Sequence, residues 1–155
     1  MQGNEKIIDL LNELLADELT AISQYMVHSE MCADWGYEEL HEAVEKRAID
    51  EMKHAEKLIG RILFLDGHPI VSKLKQMQIG AQVEVQIKND LSSEQGAVKA
   101  YNAGIGLAVE LADNGTRALL ESILSDEEDH IDWLEAQLDQ IQQMGIQNYL
   151  SEQVS

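Results

Sequence analysis

The sequence predicts an all-α protein: two helical hairpins packed as a four-helix bundle, with a long connection between the second and third helices and a short fifth helix after the fourth. Three observations carry this. One Pro, one Phe and an abundance of Leu, Ile, Ala, Glu and Gln in 155 residues suit long helices and leave few strand-forming runs. Glu18, Glu51 and His54 recur 76 positions later as Glu94, Glu127 and His130, and Tyr25 recurs as Tyr101, so the chain reads as one hairpin written twice. The stretch Gly67 to Gly80 holds the only Pro and no long helical pattern, which makes it the one long connection.

The first helix starts after Asn4, a favourable N-cap, and runs to about Trp35 before Gly36. Its inward stripe is predicted as Leu11, Leu14, Leu15, Leu19, Ile22 and Met26, with Glu18 inside it. The second helix spans about Glu38 to Asp66 with Val44, Ala48, Ala55, Leu58, Ile62 and Leu65 inward and Glu51 in the same stripe; Gly67 and Pro69 end it. At about 3.3 Å per residue, Gly67 to Gly80 covers roughly 40 Å, enough to return the chain along a helix of about 28 residues. The third helix, about Val83 to Leu111, carries Glu94 and is loosened by Gly96, Gly104 and Gly106. After an Asp113-Asn114-Gly115 turn, the fourth helix runs to about Met144, Gly145 stops it, and Ile146 to Leu150 form the fifth. One domain over residues 1–155 is expected at this length.

Acidic residues outnumber basic ones 29 to 11, for a formal charge of −18, which argues against a nucleic-acid surface and for a cationic partner or cargo. Cys32 is the only cysteine, so neither an intrachain disulfide nor a Cys₄ site can form. No basic segment followed by an apolar run opens the chain and no long uncharged apolar run follows, so a soluble, cytoplasmic protein without a membrane partner is expected.

Each half supplies an isolated Glu and, 33 residues on, a Glu-x-x-His pair. Three residues advance about 300° around a helix, so both members of the pair share a face. A carboxylate inside an apolar stripe needs a partner, and four Glu balance two divalent cations without leaving buried charge uncompensated. Oxygen-rich ligation with one His per metal and no thiolate suits iron or manganese better than structural zinc, with iron the first choice. A single Glu-x-x-His is weak, since Glu-rich exposed helices produce it by chance; six ligands in register are far more specific. Tyr25 and Tyr101, two turns beyond Glu18 and Glu94, read as satisfied core tyrosines or as redox residues. Trp133 reads as packing, and His28, His41 and His68 lack spaced partners and are expected at the surface or in loops.

The segments Ile49-Asp50-Glu51-Met52-Lys53-His54-Ala55, Arg61-Ile62-Leu63-Phe64-Leu65, Asp126 through Glu135, and Gly145-Ile146-Gln147-Asn148-Tyr149-Leu150 are more specific than the ligand spacing. On them the chain resembles the bacterioferritins over essentially its whole length. The Glu and Glu-x-x-His pattern is the one already described for ferritin-like carboxylate proteins. The resemblance implies a ferritin-like bundle and a ferroxidase centre in which Glu18, Glu51, His54, Glu94, Glu127 and His130 bind two irons, Glu51 and Glu127 bridging them. It implies a shell of twenty-four subunits, built from dimers, that stores ferric mineral and leaves room for a second ferritin subunit type. It also implies that Met52 is an axial ligand of a haem b shared between two subunits, with a small redox protein such as a ferredoxin supplying electrons for iron release. From the residues alone Met52, turned about 100° from Glu51 toward the outside of the bundle, reads as an interface methionine.

Two positions depart from that pattern. Lys46 stands beside Asp50 where some members have a His, and a protonated Lys is a poor ligand for an inner-surface iron; Leu58 stands where some have a Tyr. Two rival readings share the bundle. A di-iron or di-manganese peroxidase or oxidase would lack a mineral cavity, and its rubrerythrin version is excluded by the single cysteine. In a helical interaction module the carboxylates would only solubilise the surface.

Overall fold

The computed structural model describes Met1–Ser155. It contains α1 (Glu5–Asp34), α2 (Glu38–Phe64), α3 (Val83–Glu110), α4 (Asn114–Met144) and α5 (Ile146–Ser151), with no strand. α1 packs mainly on α2 and α3 on α4, with α1 also meeting α3 and α2 meeting α4. None of the helices is long and apolar enough to cross a membrane.

The helix ends follow local chemistry. The Asn4 side chain accepts the Lys6 N–H at 2.8 Å, and Asp113 caps α4 by accepting the Thr116 N–H at 3.0 Å and its hydroxyl at 2.7 Å. Because Asp113 is the cap, Asn114 and Gly115 are the first helical residues rather than the expected turn. α2 and α3 end instead in Asp66 (φ 60°) and Ala112 (φ 56°), both left-handed. In each case the next N–H closes onto the helix, Gly67 to the Ile62 carbonyl and Asp113 to the Ala108 carbonyl, both at 2.8 Å. Gly67 is therefore not the left-handed stop the sequence suggests. It allows close packing, since a Cβ there would lie 2.8 Å from Ile8 Cγ2 and 2.9 Å from Ile62 Cγ2.

The core falls into two apolar blocks. One joins Ile7, Leu11, Leu15, Leu58, Tyr101 and Leu120; the other joins Cys32, Leu40, Ile87, Leu134 and Ile141 with Tyr149 of α5, whose hydroxyl donates to Gln137 at 2.7 Å. On each long helix the candidate ligands lie between the stretches that feed the two blocks. Apolar burial at both ends therefore holds a polar belt at mid-height.

Residues 65–82 return the chain along α1, and α1 provides the rail. The Asn12 side chain donates to the His68 carbonyl and accepts the Ile70 N–H; Thr20, Gln24 and His28 then accept the backbone N–H of Lys75, Gln78 and Gly80 at 2.8, 3.1 and 3.0 Å. Two sequence expectations are corrected here. His28 is fully buried, because its ring is needed twice: Nε2 takes the Gly80 N–H and Nδ1 lies 2.9 Å from Asp90. Met26, expected inward, is 56% exposed. Eight residues past Glu18 it has rotated about 80° off that face, whereas Tyr25, seven residues on, stays within about 20° of it.

Candidate metal centre

Glu18, Glu51, His54, Glu94, Glu127 and His130 converge, one from α1, two from α2, one from α3 and two from α4, and each is at most 5% exposed. They form two overlapping groups, Glu18/Glu51/His54/Glu127 and Glu51/Glu94/Glu127/His130, with ligand-type atoms within 4.8 Å of one another. Glu51 and Glu127 belong to both. His54 Nδ1 lies 2.9 Å from Glu127, 3.3 Å from Glu51 and 3.7 Å from Glu18; His130 Nδ1 lies 3.1 Å from Glu51 and 3.5 Å from Glu94. The imidazoles are 6.3 Å apart, centre to centre.

Five of these buried atoms have no hydrogen-bond partner: Glu18 Oε2, Glu51 Oε1, Glu94 Oε2, Glu127 Oε1 and His130 Nδ1. Some lie close to one another, yet without hydrogen-bond alignment. Orphaned buried acceptors are costly, and here they are grouped and aimed inward, as a donor set for cations would be. Around them the pseudo-twofold is chemical as well as geometric. Tyr25 donates to Glu94 Oε1 and Tyr101 to Glu18 Oε1, crossing between hairpins and leaving the other oxygen of each carboxylate free. His54 Nε2 lies 2.9 Å from Asp126 and His130 Nε2 3.3 Å from Asp50. An N–H held there by a carboxylate leaves Nδ1 as the lone-pair nitrogen facing the cage.

Burial, then the neighbouring Glu18, pushes Glu51 well above the usual carboxylate range, and burial with Glu94 pushes Glu127 up to about 9. Burial also opposes the charge on His54, but Glu127, Glu18 and Asp126 outweigh it and hold the ring up at about 10. For Glu94 the nearby Glu127 and His130, with the Tyr25 hydroxyl, overcome burial and bring it to about 2. Without metal, protons occupy the cage. Those on Glu127 and His54 are held by the folded chain and released by the unfolded one near 4.5 and 6.5. The folded chain then binds more protons, so these groups make metal-free stability fall as pH rises, Glu127 between about 4.5 and 9 and His54 from above about 6.5 through about 10. Metal displaces the same protons. The rise in melting temperature on Co(II) loading is therefore expected to grow from about pH 6 to about pH 8. A rise that shrinks with pH would contradict proton displacement.

A family model for the ferritin-like domain matches residues 8–144. The chain is 42% identical to a bacterioferritin of Mycolicibacterium paratuberculosis and 41% identical to one of Mycobacterium leprae, over 155 residues that cover 100% of this chain and 98% of each relative. It is 40% identical to a bacterioferritin of Rhodobacter capsulatus over 149 residues, 96% of this chain and 92% of the relative. The chain belongs to the bacterioferritin family. Membership supports iron storage as the coarse function, and the carboxylate–histidine groups are able to hold metal ions.

In this bacterioferritin Met52 is 45% exposed on the outer side of α2, one turn from exposed Ile49. Leu58 is fully buried in the first apolar block. Lys46 borders a depression with Asp50, Asp126 and His130, which puts an ammonium beside the outer edge of the cage. Trp133 lies under the Arg47 guanidinium at 5.1 Å. Asp50 and Asp126, which orient the two imidazoles, were not singled out from the sequence as a pair. The signal was present, since they are separated by the same 76 residues as the other site residues.

Proposed function

We propose that this bacterioferritin is an iron-storage ferroxidase, working as a single domain over residues 1–155 in the cytoplasm. Fe(II) is its substrate. The observation that carries the reading is the ring of unpartnered, buried carboxylate and imidazole atoms arranged about two overlapping positions. Glu51 and Glu127 would be shared by two irons, Glu18 with His54 and Glu94 with His130 would complete one iron each, and two irons side by side can give two electrons to one O₂ or peroxide. The protein supplies position and charge. The crossed tyrosines fix Glu18 and Glu94, Asp50 and Asp126 fix the imidazole tautomers, and the two apolar blocks limit water. Four carboxylates match two divalent cations, so oxidation leaves excess positive charge in a buried cage and favours moving ferric iron on to the mineral. Exposed Met52, with Ile49 beside it and Met26 exposed on the adjoining α1, offers a thioether on an unpartnered apolar face. That fits a haem b clamped between two subunits, which would pass electrons inward from a small redox protein such as a ferredoxin.

The shell is the part of this reading that separates it from a small di-iron peroxidase on the same bundle. Twenty-four subunits of 17.4 kDa total about 420 kDa. Sedimentation of the purified protein is expected to give that mass, and Fe(II) added in air is expected to show a fast oxidation phase saturating at two irons per subunit, with iron retained by the particle. A small oligomer that oxidises Fe(II) but retains none would favour the peroxidase.

A further inference from the structure

A cavity of about 260 Å³ opens between α1, α3 and the connection. Its floor is the buried ligand cage, Glu18, Glu94 and Glu127; its rim is exposed or half-exposed, formed by Asp17, Lys75 and Ser92. Gly96 lines its α3 wall. This is a direct passage from the surface to the four carboxylates of the cage, Glu51 included.

A lysine stands at its rim. The Lys75 ammonium lies 2.5 Å from Asp17 Oδ1 and 3.3 Å from Glu13 Oε2, while Lys73 takes the other Glu13 oxygen. The Lys75 backbone is pinned by its N–H to Thr20 at 2.8 Å, so the side chain alone is free to move. Of the four charged residues Asp17 and Lys75 line the cavity itself, so the ion pair that faces an incoming cation is theirs. We propose that Lys75 is an electrostatic gate on divalent-cation access to the paired centre, occupying Asp17 until an incoming cation displaces it. The inference rests on the metal-binding reading of the cage below. A half-exposed ion pair on a four-carbon stem opens readily, and a divalent cation has twice the ammonium's charge with which to compete for Asp17. When Lys75 swings off, Asp17 becomes the first ligand on the way to Glu18, the next residue in α1.

The test is stopped-flow binding of Co(II), read by its visible absorption, to the assembled protein across a salt series. Lys75→Met should raise the binding rate about tenfold at low ionic strength, and the gap should close as salt screens the mouth. Lys75→Arg, which keeps the charge, should bind at the wild-type rate, and Asp17→Asn added to Lys75→Met should bring the rate back down. Lys75→Gln gives the same reading should methionine disturb the rim. Equal rates for wild type and Lys75→Met, with two Co(II) bound per subunit in both, would overturn the gate and leave the metal centre standing. Fast binding by Lys75→Arg, or no slowing from Asp17→Asn, would also overturn it. Failure of the wild type to bind Co(II) at all would remove gate and metal centre together.

Discussion

His130→Ala is expected to slow the fast phase of Fe(II) oxidation at least tenfold while leaving the shell assembled. His130 Nδ1 is one of the five orphaned atoms of the cage, and its ring is the only imidazole within reach of Glu94. Without it, one of the two positions keeps only carboxylates, and losses of ligation of this kind typically cost 10- to 100-fold in affinity or activity. The other position, with Glu18 and His54, keeps its donors, so one metal still binds but a two-electron partner is missing. Glu94→Ala should act alike from the opposite side and would also release the Tyr25 hydroxyl. Assembly should survive because the lesion lies in the polar belt, whereas the packing that holds the helices together lies in the apolar blocks above and below. Stopped-flow absorbance at two Fe(II) per subunit, with sedimentation as the control, decides the matter. An unchanged fast phase in either variant would remove the di-iron assignment.

The level at which six side chains meet was legible because helix geometry converts spacing into position. A Glu and a Glu-x-x-His in each hairpin, repeated at 76 residues, leave a bundle few other arrangements. What the sequence hid was what depends on tertiary neighbours. Met26 looked like core because it follows Ile22 by four, but Tyr25 holds that face through its bond to Glu94. His28 looked solitary because its partners, Asp90 and the Gly80 amide, are 62 and 52 residues away. Asp66 and Ala112 take left-handed conformations that sequence preference would have given to glycine, since each chain reversal is fixed by packing and by the N–H that closes it. Lys75 shows the same limit: its place at the mouth of the passage depends on how the connection hangs from α1, which no periodicity encodes.

Met52→Leu is expected to yield a haem-free shell with near-normal iron uptake and slower reductive release. Met52 follows Glu51 directly, yet the two lie on different faces of the helix: Glu51 is 1% exposed in the cage and Met52 is 45% exposed on the outer side of α2. About 100° of helix rotation separates them, so losing the thioether should leave the cage geometry intact. Leucine keeps the apolar volume, which protects any packing across that face, while removing the Met52 thioether as a soft axial donor. Oxidation of Fe(II) draws on the six buried ligands and should proceed. Release requires electrons to reach stored ferric iron from outside, and it is this step that should slow. Visible spectroscopy of the variant reads the first outcome, and ferrous chelation after adding a reduced ferredoxin reads the second. A bis-thioether haem spectrum that persists in Met52→Leu would place the ligand elsewhere, with exposed Met26 on α1 the next residue to replace. A haem-free shell that releases iron at the wild-type rate would keep the ligand and remove the electron-relay role.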